Sequence, residues 1–161
     1  MNQQTALLIG GSKGMALETA KQLAKSNNNL ILVARDTKAL NQAKDEIQSN
    51  YSVTVETRPH DLQNPEDVDK LIQIIEAESR HIQYLVNAAG YFKPVAFLDH
   101  QREDYQAYHS INESLFFITQ AVAKNMKQHG KGSIVNIGSM WAKQAIKATP
   151  SSAYSMAKAG L

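Results

Sequence analysis

The segment Tyr154-Ser155-Met156-Ala157-Lys158 carries a phenol and an ammonium four positions apart. On a helix, positions i and i+4 share a face, so the two groups point the same way. A free tyrosine titrates near ~10 and is a poor base at neutral pH. A neighbouring cation favours the phenolate, which makes the pair a candidate for moving a proton. Two further polar residues stand where such chemistry could use them. Ser139 follows the apolar run Ser133–Ile137, which reads as a strand. A parallel sheet presents the carboxyl ends of its strands to ligands. Asn112 falls inside a long helical stretch, where an asparagine side chain competes with the backbone for hydrogen bonds. Singly, these are a surface serine, a capping asparagine and an exposed tyrosine; their occurrence together carries the reading.

A second feature lies near the start. Gly10-Gly11-Ser12-Lys13-Gly14-Met15-Ala16 joins an apolar run to a helical pattern. Glycines there permit a tight turn and let the backbone approach a pyrophosphate. The following helix N-terminus offers unpaired N–H groups and a positive dipole end to the phosphates.

The elements that must position these groups alternate. Thr5–Ile9, Leu30–Ala34, Ser52–Arg58, Gln83–Val86 and Ser133–Ile137 read as strands. Between them, 16–27, 38–50, 65–79 and 103–128 read as helices, and a last helix begins near Ser151. Asn64-Pro65 followed by Glu66 and Asp67 is a helix start, with a cap, a proline at the first position and acids in the first turn. Strands alternating with helices imply parallel pairing through right-handed crossovers. The strands are apolar runs, as a sheet covered on both faces requires. The expectation is an α/β, doubly wound parallel sheet of the Rossmann type with about five strands.

The spacing Gly10-x3-Gly14-x-Ala16, followed by Asn112, Ser139 and Tyr154-x3-Lys158, resembles the short-chain dehydrogenase/reductase family. That family's usual turn is Thr-Gly-x3-Gly-x-Gly, so Ile9 and Ala16 are departures. Asn87-Ala88-Ala89-Gly90 resembles the family's Asn-Asn-Ala-Gly, with Ala88 in place of the second asparagine. The resemblance implies that Tyr154 is the general acid/base and that Lys158 lowers its pKa and holds the nicotinamide ribose. It implies that Ser139 polarises the substrate oxygen and that Asn112 holds a water in a proton relay. It places a dinucleotide against Gly10, Ser12, Lys13, Gly14 and Met15, against Asp61 and Leu62 at the adenine, and against Asn87, Ala88, Ala89 and Gly90. The implied activity is hydride transfer between NADP(H) and a carbonyl or alcohol.

NADP(H) is favoured over NAD(H) because Arg35 stands at the end of the second strand, where an arginine accommodates a 2′-phosphate. Lys13 is a second cation beside it, whereas Asp36 could turn back to a ribose. The interval from Ser139 to Tyr154 is longer than the family usually shows. Met140–Pro150 is therefore expected to be an enlarged loop, with Trp141 either walling the substrate pocket or packing beneath the loop.

The 161 residues, 43% hydrophobic and 20% charged, describe a globular chain, not a disordered one. No apolar run reaches the ~20 residues of a membrane span, and the N-terminus lacks signal-peptide features. There is no cysteine, so disulfides and thiolate chemistry are excluded. The five histidines show no metal-binding spacing, so no metal is expected. The net charge of +2 and the lack of aromatic residues among the basic ones argue against nucleic acid. A cytoplasmic location is expected. Residues 1–161 read as one dinucleotide-binding domain. Because relatives continue past the tyrosine helix with two more strands, it is expected to be incomplete at the C-terminus. The resemblance also implies a homo-oligomer, a dimer or tetramer. A rival expectation is a non-catalytic nucleotide-binding or interaction module derived by truncation.

Overall fold

The computed structural model describes residues 3–144 and 149–161. Its strands are β1 (Thr5–Ile9), β2 (Asn29–Ala34), β3 (Val55–Pro59), β4 (Ile82–Asn87) and β5 (Ser133–Asn136). They form one sheet in the order β3-β2-β1-β4-β5. Every pairing is parallel. The helices are α1 (Gly14–Lys25), α2 (Thr37–Asn50), α3 (Pro65–Glu76), α4 (Arg102–Gln128) and α5 (Ser152–Ala159). Chain order runs outward from β1 in one direction and then in the other. The strand order therefore reverses between β1 and β4, where a doubly wound sheet opens a crevice.

Alternation along the central strands explains the two layers of helices. Ala6, Leu8, Leu30 and Leu32 face one side and pack with Ala20, Ala24, Leu40 and Ile47 of α1 and α2. Leu7, Ile9, Ile31 and Val33 face the other side and pack with Leu71, Ile75, Leu115, Ile118 and Val122 of α3 and α4. Ala16, Ala20 and Ala24 form the buried stripe of α1, and their short side chains let that helix lie close to the sheet. Asn64 caps α3 by accepting from the Glu66 and Asp67 N–H groups, with Pro65 in the first turn.

Two expectations on the elements are corrected. The third strand begins at Val55, not Ser52, because Val53 N–H closes a tight turn onto the Tyr51 carbonyl. The Thr54 N–H is then taken by the Asn29 side chain, at 2.9 Å, so pairing starts one residue later. The third helix ends at Glu76, short of Ser79, where the Glu78 N–H tightens onto the Ile75 carbonyl three residues before it. The fifth strand lies at the sheet edge with all four residues exposed, as a sheet that stops at this strand requires. Among the described residues, no helix is long and apolar enough to cross a membrane.

Candidate functional site

The glycine turn folds against the ends of both neighbouring strands. Gly10 and Gly11 donate their N–H groups to the Val33 carbonyl at 2.8 and 3.1 Å. Gly10 has φ of +90°, and a Cβ there would sit 2.8 Å from the Ala89 nitrogen. The turn can thus approach Ala88-Ala89 only without a side chain. Ala88 reciprocates by donating its N–H to the Ile9 carbonyl at 2.9 Å. Gly14 has φ of +59° and open space where its Cβ would point. The first turn of α1 contains no acidic residue, and Lys13 at its N-cap makes no side-chain capping bond. Its N–H groups and dipole end therefore remain available to an anion. A dinucleotide phosphate fits this cradle: the backbone is close, the helix end is uncapped, and Lys13 and Arg35 are both exposed. The Asp36 carboxylate caps α2 by accepting the Ala39 N–H at 3.0 Å.

The flanks of the crevice are tied down by side chains. Ser114 of α4 donates to the Leu62 carbonyl at 2.7 Å. Asp61 donates its N–H to the Asp67 carboxylate at 2.7 Å and accepts the Gln63 N–H at 3.0 Å. The Asp61 N–H, with the His60 ring beside it, holds the Asp67 carboxyl below the usual aspartate range. Asn87 is buried at the end of β4. Its Nδ2 donates to Thr119 and to Asn136 at 2.8 Å each. The Asn87 carbonyl accepts the Ile137 N–H, so β4 and β5 are joined beyond their last paired residues.

The tyrosine and lysine lie one turn apart on α5. Lys158 Nζ donates to the Ile137 carbonyl at 3.2 Å and lies about a van der Waals contact from where a Gly90 side chain would begin. The ammonium therefore sits over the ends of β4 and β5. Burial pushes its pKa below the ordinary lysine value. The Ser139 hydroxyl accepts the Trp141 N–H at 3.2 Å, capping a short 3-10 turn over 140–142. Accepting that bond leaves the hydroxyl chemically able to donate its own proton. Asn112 Nδ2 donates to the Ala157 carbonyl at 2.6 Å, so its side chain docks α4 onto α5. Among the described residues, no hydrogen bond links Asn112 to Lys158, or Ser139 to Tyr154.

Sequence reasoning missed two aromatic residues. Tyr108 is buried against Ala153 and Ala157 of α5, with its ring 5.8 Å from that of Tyr154. Phe92 meets the Tyr154 ring edge-on at 4.9 Å. Their signals were present: Tyr91-Phe92 follows Gly90 at the carboxyl end of a parallel strand, and Tyr108 precedes Asn112 by four residues. Of the expected loop Met140–Pro150, residues 145–148 lie outside the described residues. Trp141 is half-buried and reaches Tyr154 at 5.8 Å. Among the described residues, no group of three or more His, Asp or Glu side chains could hold a metal ion.

A parallel sheet wound in both directions, with a glycine turn at the point where its order reverses, defines a Rossmann-type protein. The short chain dehydrogenase family model matches residues 4–161. The chain belongs to that family of oxidoreductases. A 3-oxoacyl-[acyl-carrier-protein] reductase from Synechocystis is 31% identical, with all of this chain aligned to 65% of its length. An uncharacterized oxidoreductase from Staphylococcus haemolyticus is 28% identical, again over the whole chain and 68% of its own length. The solved structure of a short-chain dehydrogenase from Sphingobium yanoikuyae in complex with NADPH is 30% identical. It superposes with a TM-score of 0.89 over 98% of this chain and 60% of its own. The chain thus spans about two thirds of the length of these relatives.

Proposed function

We propose that this chain forms the dinucleotide-binding and proton-transferring part of an NADP(H)-dependent oxidoreductase that interconverts a carbonyl and an alcohol. One observation carries the reading: the Lys158 ammonium, one turn from Tyr154, sits beside the end of β4, against which the glycine turn also folds. The cradle residues Gly10, Ser12, Lys13, Gly14 and Met15 would hold the pyrophosphate. Asp61 and Leu62 would meet the adenine, and Asn87 to Gly90 would border the nicotinamide ribose with Tyr154 and Lys158. Arg35 and Lys13 would read a 2′-phosphate by charge-assisted hydrogen bonds. The Sphingobium relative's complex with NADPH supports that choice.

The bound cofactor supplies or takes up a hydride at the substrate carbon. The chain's own groups manage the oxygen. Tyr154 gives its phenolic proton to the oxygen as negative charge develops there in reduction, and takes it back in oxidation. Lys158 stabilises the phenolate that remains. Ser139 donates its hydroxyl proton to the substrate oxygen and favours the charged transition state. Asn112 holds α5, and with it Tyr154 and Lys158, against α4. The working assembly on this reading is a homo-oligomer acting on a small carbonyl or alcohol.

Tyr154→Phe removes the transferable proton and little else. Turnover with NADPH and a carbonyl panel is expected to fall by about 10²–10⁴-fold, with NADPH affinity within about threefold of wild type. Wild-type turnover in this variant would refute the assignment, and NADPH binding without turnover in the unaltered protein would favour the non-catalytic module.

A further inference from the structure

We propose that Tyr108 of α4 is a positioning residue for Tyr154, holding the segment that leaves β4 against α5 through two hydrogen bonds of its hydroxyl and the packing of its ring. This rests on the proposed function and adds a residue to the same site.

Tyr108 touches two segments at once. Its ring is buried and packs on Ala153 and Ala157, the residues one before and three after Tyr154. Methyl side chains at those two positions leave room for a ring between α4 and α5. That ring lies 5.8 Å from the Tyr154 ring at 67° and 5.3 Å from the Tyr91 ring at 51°. Both distances fall in the range of attractive aromatic pairs. At its other end, the Tyr108 hydroxyl donates to the Lys93 carbonyl at 2.8 Å and accepts the Lys93 N–H at 2.9 Å. A hydroxyl can close both bonds on one residue because it carries a proton and lone pairs together. Burial pushes the Tyr108 phenol above the usual tyrosine pKa, which keeps the proton that the first bond needs.

The segment from Gly90 to Lys93 therefore meets α5 at one end and α4 at the other. Lys158 Nζ lies 4.0 Å from where a Gly90 Cβ would stand, and Tyr108 holds Lys93. Between them, Phe92 meets the Tyr154 ring edge-on at 4.9 Å. Slack at Lys93 thus reaches Tyr154 through a single side chain. Asp104, Tyr108 and Asn112 stand four apart and share one face of α4. Asp104 accepts from Lys93 Nζ at 3.3 Å, but that lysine is 63% exposed, and an exposed ion pair contributes little. Asn112 donates to Ala157 of α5. Of the three, Tyr108 alone bonds to the β4 exit and packs on α5. A phenol that passes a proton must be placed closely, since an error of about 1 Å can cost ~10²-fold in rate.

The test is Tyr108→Phe, which keeps the ring and removes the hydroxyl. Amide hydrogen exchange is measured together with turnover of ethyl acetoacetate, cyclohexanone and benzaldehyde with NADPH. The Lys93 amide and amides 155–160 should exchange about fivefold faster, the worth of one hydrogen bond. Amides of β1 and β2 should change by less than about twofold, because the loosening is local. On the best of the three carbonyls, kcat should fall about tenfold, with KM and NADPH affinity within about twofold of wild type. Tyr108→Leu, which removes the ring too, should lower kcat further. Asp104→Asn keeps an oxygen to cap α4 but loses the ion pair with Lys93, and should leave kcat unchanged. Unchanged kcat in Tyr108→Phe, or equal acceleration of exchange in β1, β2 and α5, would overturn the positioning role and leave the oxidoreductase reading intact. Absence of turnover of all three carbonyls by the unaltered protein would overturn both.

Discussion

The glycine turn and the tyrosine helix face the same crevice but are built in opposite ways. The turn is backbone work. Gly10 and Gly11 bond to Val33, Ala88 bonds to Ile9, and both flanking strands are buried. The tyrosine half is side-chain work: Asn112 bonds to Ala157, Ser139 to Trp141, and Tyr108 to Lys93. Those contacts span sequence separations of 45, 2 and 15 residues. Substitutions should therefore act on stability and cofactor affinity in the first half, and on chemistry in the second.

The sharpest way to break this contrast is at Gly10. Gly10→Ala forces a Cβ to 2.8 Å from the Ala89 backbone, on top of a positive φ. Gly14→Ala meets no atom within 4 Å and bears only the cost of its φ. Thermal unfolding should show Gly10→Ala well below wild type and without cofactor affinity. Gly14→Ala should be destabilised by about 1–2 kcal/mol. Equal losses would show that the close approach at Ala89 does not matter.

Asn112→Ala tests the other half. Losing the bond to Ala157 should cost about 1 kcal/mol in chemical denaturation. Its larger effect should be on turnover, as α5 loosens from α4. Unchanged kcat with lowered stability would leave Asn112 a purely structural residue.

The smallest effect is a pH effect. Burial lowers the Lys158 pKa, so the ammonium loses its charge before a free lysine would as pH rises. The alkaline limb of the kcat/KM profile should fall below pH 10.5, the ordinary value. Lys158→Arg, which keeps its charge, should move that limb upward. The stability sign is the reverse. The unfolded chain binds the extra proton between the lowered pKa and 10.5, so this group makes folding more favourable as pH rises through that window.

The same contrast explains what could be read from the amino-acid sequence. β1, the glycine turn, β2 and the Asn64-Pro65 helix start are local patterns, and the structure follows them closely. The start of β3 was hidden because the Asn29 side chain, 25 residues away, takes the Thr54 N–H that a strand residue would otherwise pair. Arg35 and Asp36 are exposed neighbours of opposite charge, and the capping bond from Ala39 to Asp36 does not show in their order along the chain. Tyr154 and Lys158 were singled out by their spacing taken together with the glycine turn and the order of strands, whereas the partners of Asn112 and Ser139, and the rings of Phe92 and Tyr108, depend on how distant segments meet. No periodicity encodes that.

The most direct test of the central claim is a titration of the chain with NADPH and, separately, NADH. It is followed by quenching of Trp141, the single tryptophan, and by energy transfer to the nicotinamide. Saturable binding is predicted, with NADPH tighter by about tenfold, the worth of one charge-assisted contact, and with that margin lost in Arg35→Ala. Binding of neither cofactor, or equal affinity for both with Arg35 intact, would contradict the account.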